Sequence, residues 1–185
     1  MKPGFARQLI LAATLILIIG LPLCAADLEL ELLAESAIAG DLEVDGTVVG
    51  GLSGLTFDPG CGLYHAISDD RGRIGPMRFY TFRIVDIDTA EVDILSATLL
   101  RRPSGDLFEP GDLDPEARAL QPDGSLYLAS EGVPHRGIHP LVAGFSLDGT
   151  FRGRLELPAQ YLPADGGLHG VRDNLGFEGL SFDPG

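Results

Sequence analysis

One stretch of this chain recurs at a nearly fixed interval, and that recurrence limits the fold more than any single motif does. "SGLTFDPGCGLYHAISDD" from Ser53 aligns with "EARALQPDGSLYLASEG" from Glu116, and "EGLSFDPG" from Glu178 begins the pattern again. The three starts lie 63 and 62 positions apart. Phe57, Leu120 and Phe182 coincide, as do Pro59, Pro122 and Pro184. Leu63-Tyr64 matches Leu126-Tyr127, and Ala66 matches Ala129. Self-similarity at a long period marks a repeat architecture, in which each unit buries its faces against its neighbours.

Each unit reads as strands. Residues 52–57 turn at Asp58-Pro59-Gly60 and return through 63–68; residues 79–85 and 92–100 are rich in β-formers. The second unit repeats this over 117–120, 126–130, 141–147 and 151–157, with Asp148-Gly149 as a hairpin turn. No segment after the N-terminal stretch holds a helical period. Four antiparallel strands per unit, with Gly- and Pro-rich turns, predict a β-propeller. A β-sandwich is the competing architecture, but sandwiches do not repeat their turn chemistry at a fixed offset. Repeats are expected to start near residues 50, 113 and 175, giving two blades and the opening strand of a third, a partial propeller within 27–185.

The N-terminus reads as a targeting segment. Lys2 and Arg7 precede an apolar stretch from Leu9 to Gly20, then Pro22 and the small residues Cys24-Ala25-Ala26. That order predicts a secretory signal peptide over 1–26 and an exported, periplasmic or extracellular, domain. A membrane anchor would be barely long enough and would carry Pro22 unfavourably. Leu21-Pro22-Leu23-Cys24 loosely resembles a lipobox, which offers a lipid anchor at Cys24 as the alternative. Losing Lys2 and Arg7 takes the formal charge from -14 to -16. An acidic exported domain is not expected to bind nucleic acid or insert stably into a membrane. With Cys24 gone only Cys61 remains, so no intrachain disulfide is expected.

The unusual polar residues gather where second strands lead to third strands and one blade leads to the next. Asp69, Asp70 and Arg71 follow the second strand of the first unit; Glu131, His135 and Arg136 follow that of the second. Asp114 and Glu116 lead into one inner strand, and Glu178 into another. Glu116 and Glu178 occupy equivalent positions, and two carboxylates about 5 Å apart repel by roughly 3 kcal/mol at an effective dielectric near 20. A cation relieves that, so Glu116, Glu178, Glu131, Asp69, Asp70 and Asp114 are candidate calcium ligands. The plainer alternative has Glu116 and Glu178 bonding backbone amides or Arg118. Arg71, Arg136 and His135 are candidate binders of a small anionic or ester substrate, since guanidinium matches phosphate; surface pairing of Arg71 with Asp69 or Asp70 is the alternative. No nucleophile elbow, zinc spacing or phosphate loop is present, and no catalytic base stands out.

Taken together, "GGLSGLTFDPG", "LYHAISDDRG", "DPEARALQPDGSLYLASEG" and "GFEGLSFDPG" resemble the exported phytase-like family, also described as "esterase-like activity of phytase". The resemblance runs from about Gly50 to Gly185. It implies a calcium-binding β-propeller with hydrolase activity on phosphate or carboxylic esters. A non-catalytic propeller that binds a ligand or partner is the other reading.

Overall fold

The computed structural model describes residues 29–164 and 168–183. By its internal contacts the chain divides into residues 1–32 and 33–185, and the second unit carries all that follows. The expected signal peptide and Cys24 lie outside the described residues. No helix among the described residues is long and apolar enough to cross a membrane.

A small hairpin comes first, β1 (Glu43–Val44) and β2 (Thr47–Val48). Its turn, Asp45-Gly46, has φ of 49° and 74°. Paired positive values of this kind are what an Asp-Gly hairpin turn supplies. The sequence reading did not include it, because two-residue strands are too short to show alternation.

Two four-stranded antiparallel sheets follow. β3 (Leu52–Asp58), β4 (Leu63–Ser68), β5 (Arg78–Asp86) and β6 (Glu91–Leu99) form the first in chain order. β7 (Pro115–Leu120), β8 (Leu126–Ser130), β9 (Leu141–Phe145) and β10 (Phe151–Leu155) form the second. The expected strands and turns are therefore realised with shifts of one or two residues at most of their ends. The two sheets are successive propeller blades, with the inner strands β3 and β7 side by side. Gly54 permits that approach: its φ is +51°, and a Cβ there would stand 2.8 Å from Ala117 Cα. Only a residue without a side chain takes both the positive φ and the close contact at no cost.

The third repeat departs from expectation. Residues 178–183 hold no strand among the described residues. An inner strand exists through its ladder to the second strand of its own unit, and no such partner is described here. Phe177 and Leu180 pack instead on the outer face of the second sheet, against Ala117, Ala129 and Val142.

The core lies between the sheets. Ile67, Met77 and Phe79 from the first meet Leu113, Leu126, Leu128, Ala143 and Phe145 from the second. Strand alternation explains both faces of β8: Leu126 and Leu128 point to the first sheet, Tyr127 and Ala129 away from it. On the far side of the first sheet, Tyr64 lies between Phe57 and Phe82 at centroid distances of 4.7 and 5.6 Å. That side stays open, with Phe57 47% and Leu55 62% exposed.

Arg78 fastens the hairpin to the first sheet. It is fully buried, and its guanidinium donates to Asp70 Oδ2 and Pro76 O at 2.8 and 3.1 Å, to Val48 O at 2.9 Å, and to the Tyr80 hydroxyl. A buried charge is tolerated when its donors are met in this way. Asp70 also accepts the Gly72 amide at 2.8 Å, so its two carboxylate oxygens are engaged by Arg78 and by its own loop.

Candidate functional site

The loop after β4 and the connection from β6 to β7 meet at one end of the sheets, where the Gly111 amide donates to Arg71 O at 2.8 Å. The loop after β8 opens at the same end, tied by the Glu131 amide to Asp114 O at 3.0 Å. β7 begins there with a bulge: Pro115 pairs with Ser130 and Ala117 with Ala129, leaving Glu116 as the extra residue. A bulge re-aims its side chain, and Glu116 joins its neighbours at the mouth instead of alternating away from them.

Asp114, Glu116 and Glu131 each bring a carboxylate oxygen within 4.8 Å of the others. Asp114 and Glu131 are 1% exposed, so two of these carboxylates are almost wholly removed from water. Backbone and hydroxyl contacts fix the three residues. The Asp114 amide donates to Ser130 Oγ at 2.9 Å, the Gly176 amide to Glu131 Oε1 at 2.8 Å, and Ser53 Oγ to Glu116 O at 3.1 Å. Gly176 is required by proximity, since a Cβ would lie 2.9 Å from Glu131 Cβ.

Electrostatics follow from burial and crowding. Burial first, then the charges of Asp114, Asp69, Glu178 and Glu131, push the Glu116 carboxyl up to about 7. Burial likewise raises Asp114, opposed by Arg71. Glu178 is raised by the hydrogen bond it shares with Glu131 and by that group's charge. Glu116 therefore holds a proton near neutrality, which is how a site short of positive charge reduces repulsion.

Arg71 is the nearest cation. Its Nε stands 2.5 Å from Asp114 Oδ1, an ion pair that offsets the burial of that carboxylate. Arg71 Nη2 donates to Asn174 Oδ1 at 3.2 Å. The expected surface pairing of Arg71 with Asp69 or Asp70 is thus replaced by a contact to the buried Asp114.

Beside the carboxylates, Arg71, Arg73, Arg136 and His135 line a pocket of about 240 Å³ with Pro110, Gly111 and Val133. His135 Nδ1 lies 2.8 Å from Asp173 Oδ2, and its amide donates to Asp173 Oδ1 at 3.2 Å. The geometry thus brings Asp114, Glu116 and Glu131 together and sets Arg71, Arg136 and His135 in one adjoining pocket. Glu178 sits at the margin beside Glu131, and Asp69 acts on Glu116 through charge alone. Asp70 belongs to Arg78, and Asp112 to Arg102 and the Glu109 amide.

The alternative partner for Glu116, Arg118, is not used. It is 2% exposed, lies 4.9 Å over the Phe79 ring, and meets no hydrogen-bond partner among the described residues. His65 is structural, buried with Nδ1 3.0 Å from Thr81 Oγ1. Ser130 and Gly176 were not singled out from sequence; the position of Gly176, 62 residues beyond Asp114, is the signal that points to it.

The donor set fits a hard divalent cation. Three carboxylates converge, and two of them are buried. Oxygen ligands of this type suit calcium. A family model described as "Phytase-like: Esterase-like activity of phytase" matches residues 47–185. No curated protein and no solved structure matches the chain.

Proposed function

The chain belongs to the phytase-like family, described as having esterase-like activity of phytase, and from that premise we propose that it is an exported, calcium-dependent hydrolase of phosphate or carboxylic esters. The observation that carries this reading is the convergence of the Asp114, Glu116 and Glu131 carboxylates, with Asp114 and Glu131 buried. These three side chains would hold calcium, with Glu178 and Asp69 adding negative charge at the margin. Calcium bound there would polarise an ester oxygen and activate water.

The chain's own residues supply the rest. Arg71, Arg73, Arg136 and His135 take the anionic end of the substrate and orient it beside the carboxylates. Glu116 holds a proton on its carboxyl near pH 7 and releases it as positive charge arrives. Export rests on the charged, apolar and small-residue order of residues 1–26.

The test is turnover of phytate and of a model carboxylic ester by calcium-loaded protein, repeated after chelation and with Glu116→Gln. Calcium-dependent turnover that collapses in the variant is expected. Binding of phosphate without turnover of either ester would leave the non-catalytic binding propeller as the correct reading.

A further inference from the structure

We propose that Arg71 serves as the removable counter-ion of the carboxylate site: it occupies Asp114 while the site lacks a cation, and cation binding turns it into the neighbouring arginine pocket. This rests on the calcium reading above and adds to it a coupling between cation and anion binding.

Two groups of contacts support the exchange. The first concerns competition. Arg71 Nε stands 2.5 Å from Asp114 Oδ1, and Asp114 is one of the three carboxylates that converge, so guanidinium and cation compete for the charge of one carboxylate. The second concerns freedom to move. The Arg71 backbone is clamped at φ +56° by the Gly111 amide on its carbonyl. On its preceding side Asp70 is held by Arg78 and by the Gly72 amide. Its side chain is 27% exposed, contacts Asn174 by one hydrogen bond, and already lines the pocket that holds Arg73 and Arg136. The backbone is fixed while the guanidinium lies between Asp114 on one side and the arginine pocket on the other.

Thermodynamic linkage makes the consequence reciprocal: a cation that frees Arg71 tightens anion binding by the same factor that the anion tightens cation binding. It also makes an unusual prediction. Removing an arginine beside a cation site raises cation affinity by lowering background repulsion, but only an arginine that competes for a ligand carboxylate should also abolish the coupling.

The experiment is calorimetric titration of the folded protein with calcium, with inorganic phosphate, and with each in the presence of the other. Wild type, Arg71→Met and Arg136→Met are compared, with circular dichroism confirming the fold. In wild type each ligand is expected to tighten the other by about tenfold, within the range usual for coupled sites. Arg71→Met should bind calcium about tenfold more tightly, bind phosphate more weakly, and reduce the coupling to a small residue. Arg136→Met should weaken phosphate and raise calcium affinity only slightly, by the lowered background repulsion, while keeping the coupling. Unchanged or weaker calcium binding by Arg71→Met, with wild-type calcium binding intact, overturns the exchange and leaves the metal site standing. No calcium binding by wild type overturns both.

Discussion

Gly51, Ser53 and Asp69 hold in the first sheet the places that Asp114, Glu116 and Glu131 hold in the second. The backbone shows the equivalence: the Asp69 amide donates to Gly51 O at 2.8 Å, as the Glu131 amide donates to Asp114 O at 3.0 Å. Sequence offset alone would pair Glu131 with Ser68. The difference arises because Leu63 pairs with Asp58, whereas its counterpart Leu126 pairs with Leu120, the counterpart of Phe57. A one-residue change of register moves a side chain to the other face. The first blade therefore presents one carboxylate where the second presents three, and contributes its loop, with Arg71, as the cationic wall.

The sheets differ again in what covers them. The inner face of each is buried against the other; among the described residues Leu157, Phe177 and Leu180 cover the outer face of the second, while Leu55 and Phe57 of the first are exposed. Leu128 is buried between the sheets. Truncating it to Ala should cost about 2–5 kcal/mol in urea unfolding. Phe57→Ala, on the open side, should cost well under that. Equal losses would mean that the outer face of the first sheet is covered as well as the core between the sheets.

The inequality of the carboxylates is the next target. Asp114→Asn should weaken calcium by at least about a hundredfold, since changes even behind a ligand cost about ten to a hundredfold. Asp70→Asn should leave the affinity near wild type but lower the melting temperature, because Asp70 serves Arg78. Calorimetry and thermal melts separate the two. A large loss of calcium from Asp70→Asn would end the distinction between them.

A pH series sharpens the same point. Glu116 has its folded value raised to about 7 from 4.5, so calcium must displace a proton below that value. Affinity should climb by up to about tenfold per pH unit up to about pH 7 and then level off, and Glu116→Gln should flatten the climb. The sign for stability is opposite. Between about 4.5 and 7 the metal-free folded state binds more protons than the unfolded chain, so this group makes it less stable as pH rises. His65 works the other way: burial, with help from Arg118, lowers it to about 4 from 6.5, so stability from this group falls as pH drops below 6.5. Comparing urea midpoints of wild type, Glu116→Gln and His65→Gln across this range resolves the two slopes.

The smallest effect belongs to the exposed edge of the first sheet. Arg83 donates to Asp93 at 2.8 Å, with both side chains about half exposed. Arg83→Ala should change stability by less than about 1 kcal/mol. A larger loss would show that the outer strands of the open blade are bound more tightly than their exposure implies.

Much of this was legible before any coordinates. The offset between Ser53 and Glu116, the turns at Asp58-Pro59-Gly60 and Asp148-Gly149, and the alternation of β4 and β8 are local signals, carried by turn chemistry and a period of two. They established two four-stranded units and the end of the sheets at which Glu116, Glu131 and Arg71 would appear. Three features were not local. The bulge at Glu116 depends on how β7 pairs with β8, so no spacing along one strand reveals it. The fate of the acids depends on which cation reaches them first: Arg78 claims Asp70 from eight residues away, while Arg71 reaches across the blades to Asp114. The third repeat, alike in pattern, forms no strand among the described residues because a strand is a property of a pair. The sequence by itself determined the repeat, its turns and its acidic end, through short-range backbone preference. Only the tertiary structure decided which three carboxylates converge, because charge pairing and strand register are settled between segments rather than within them.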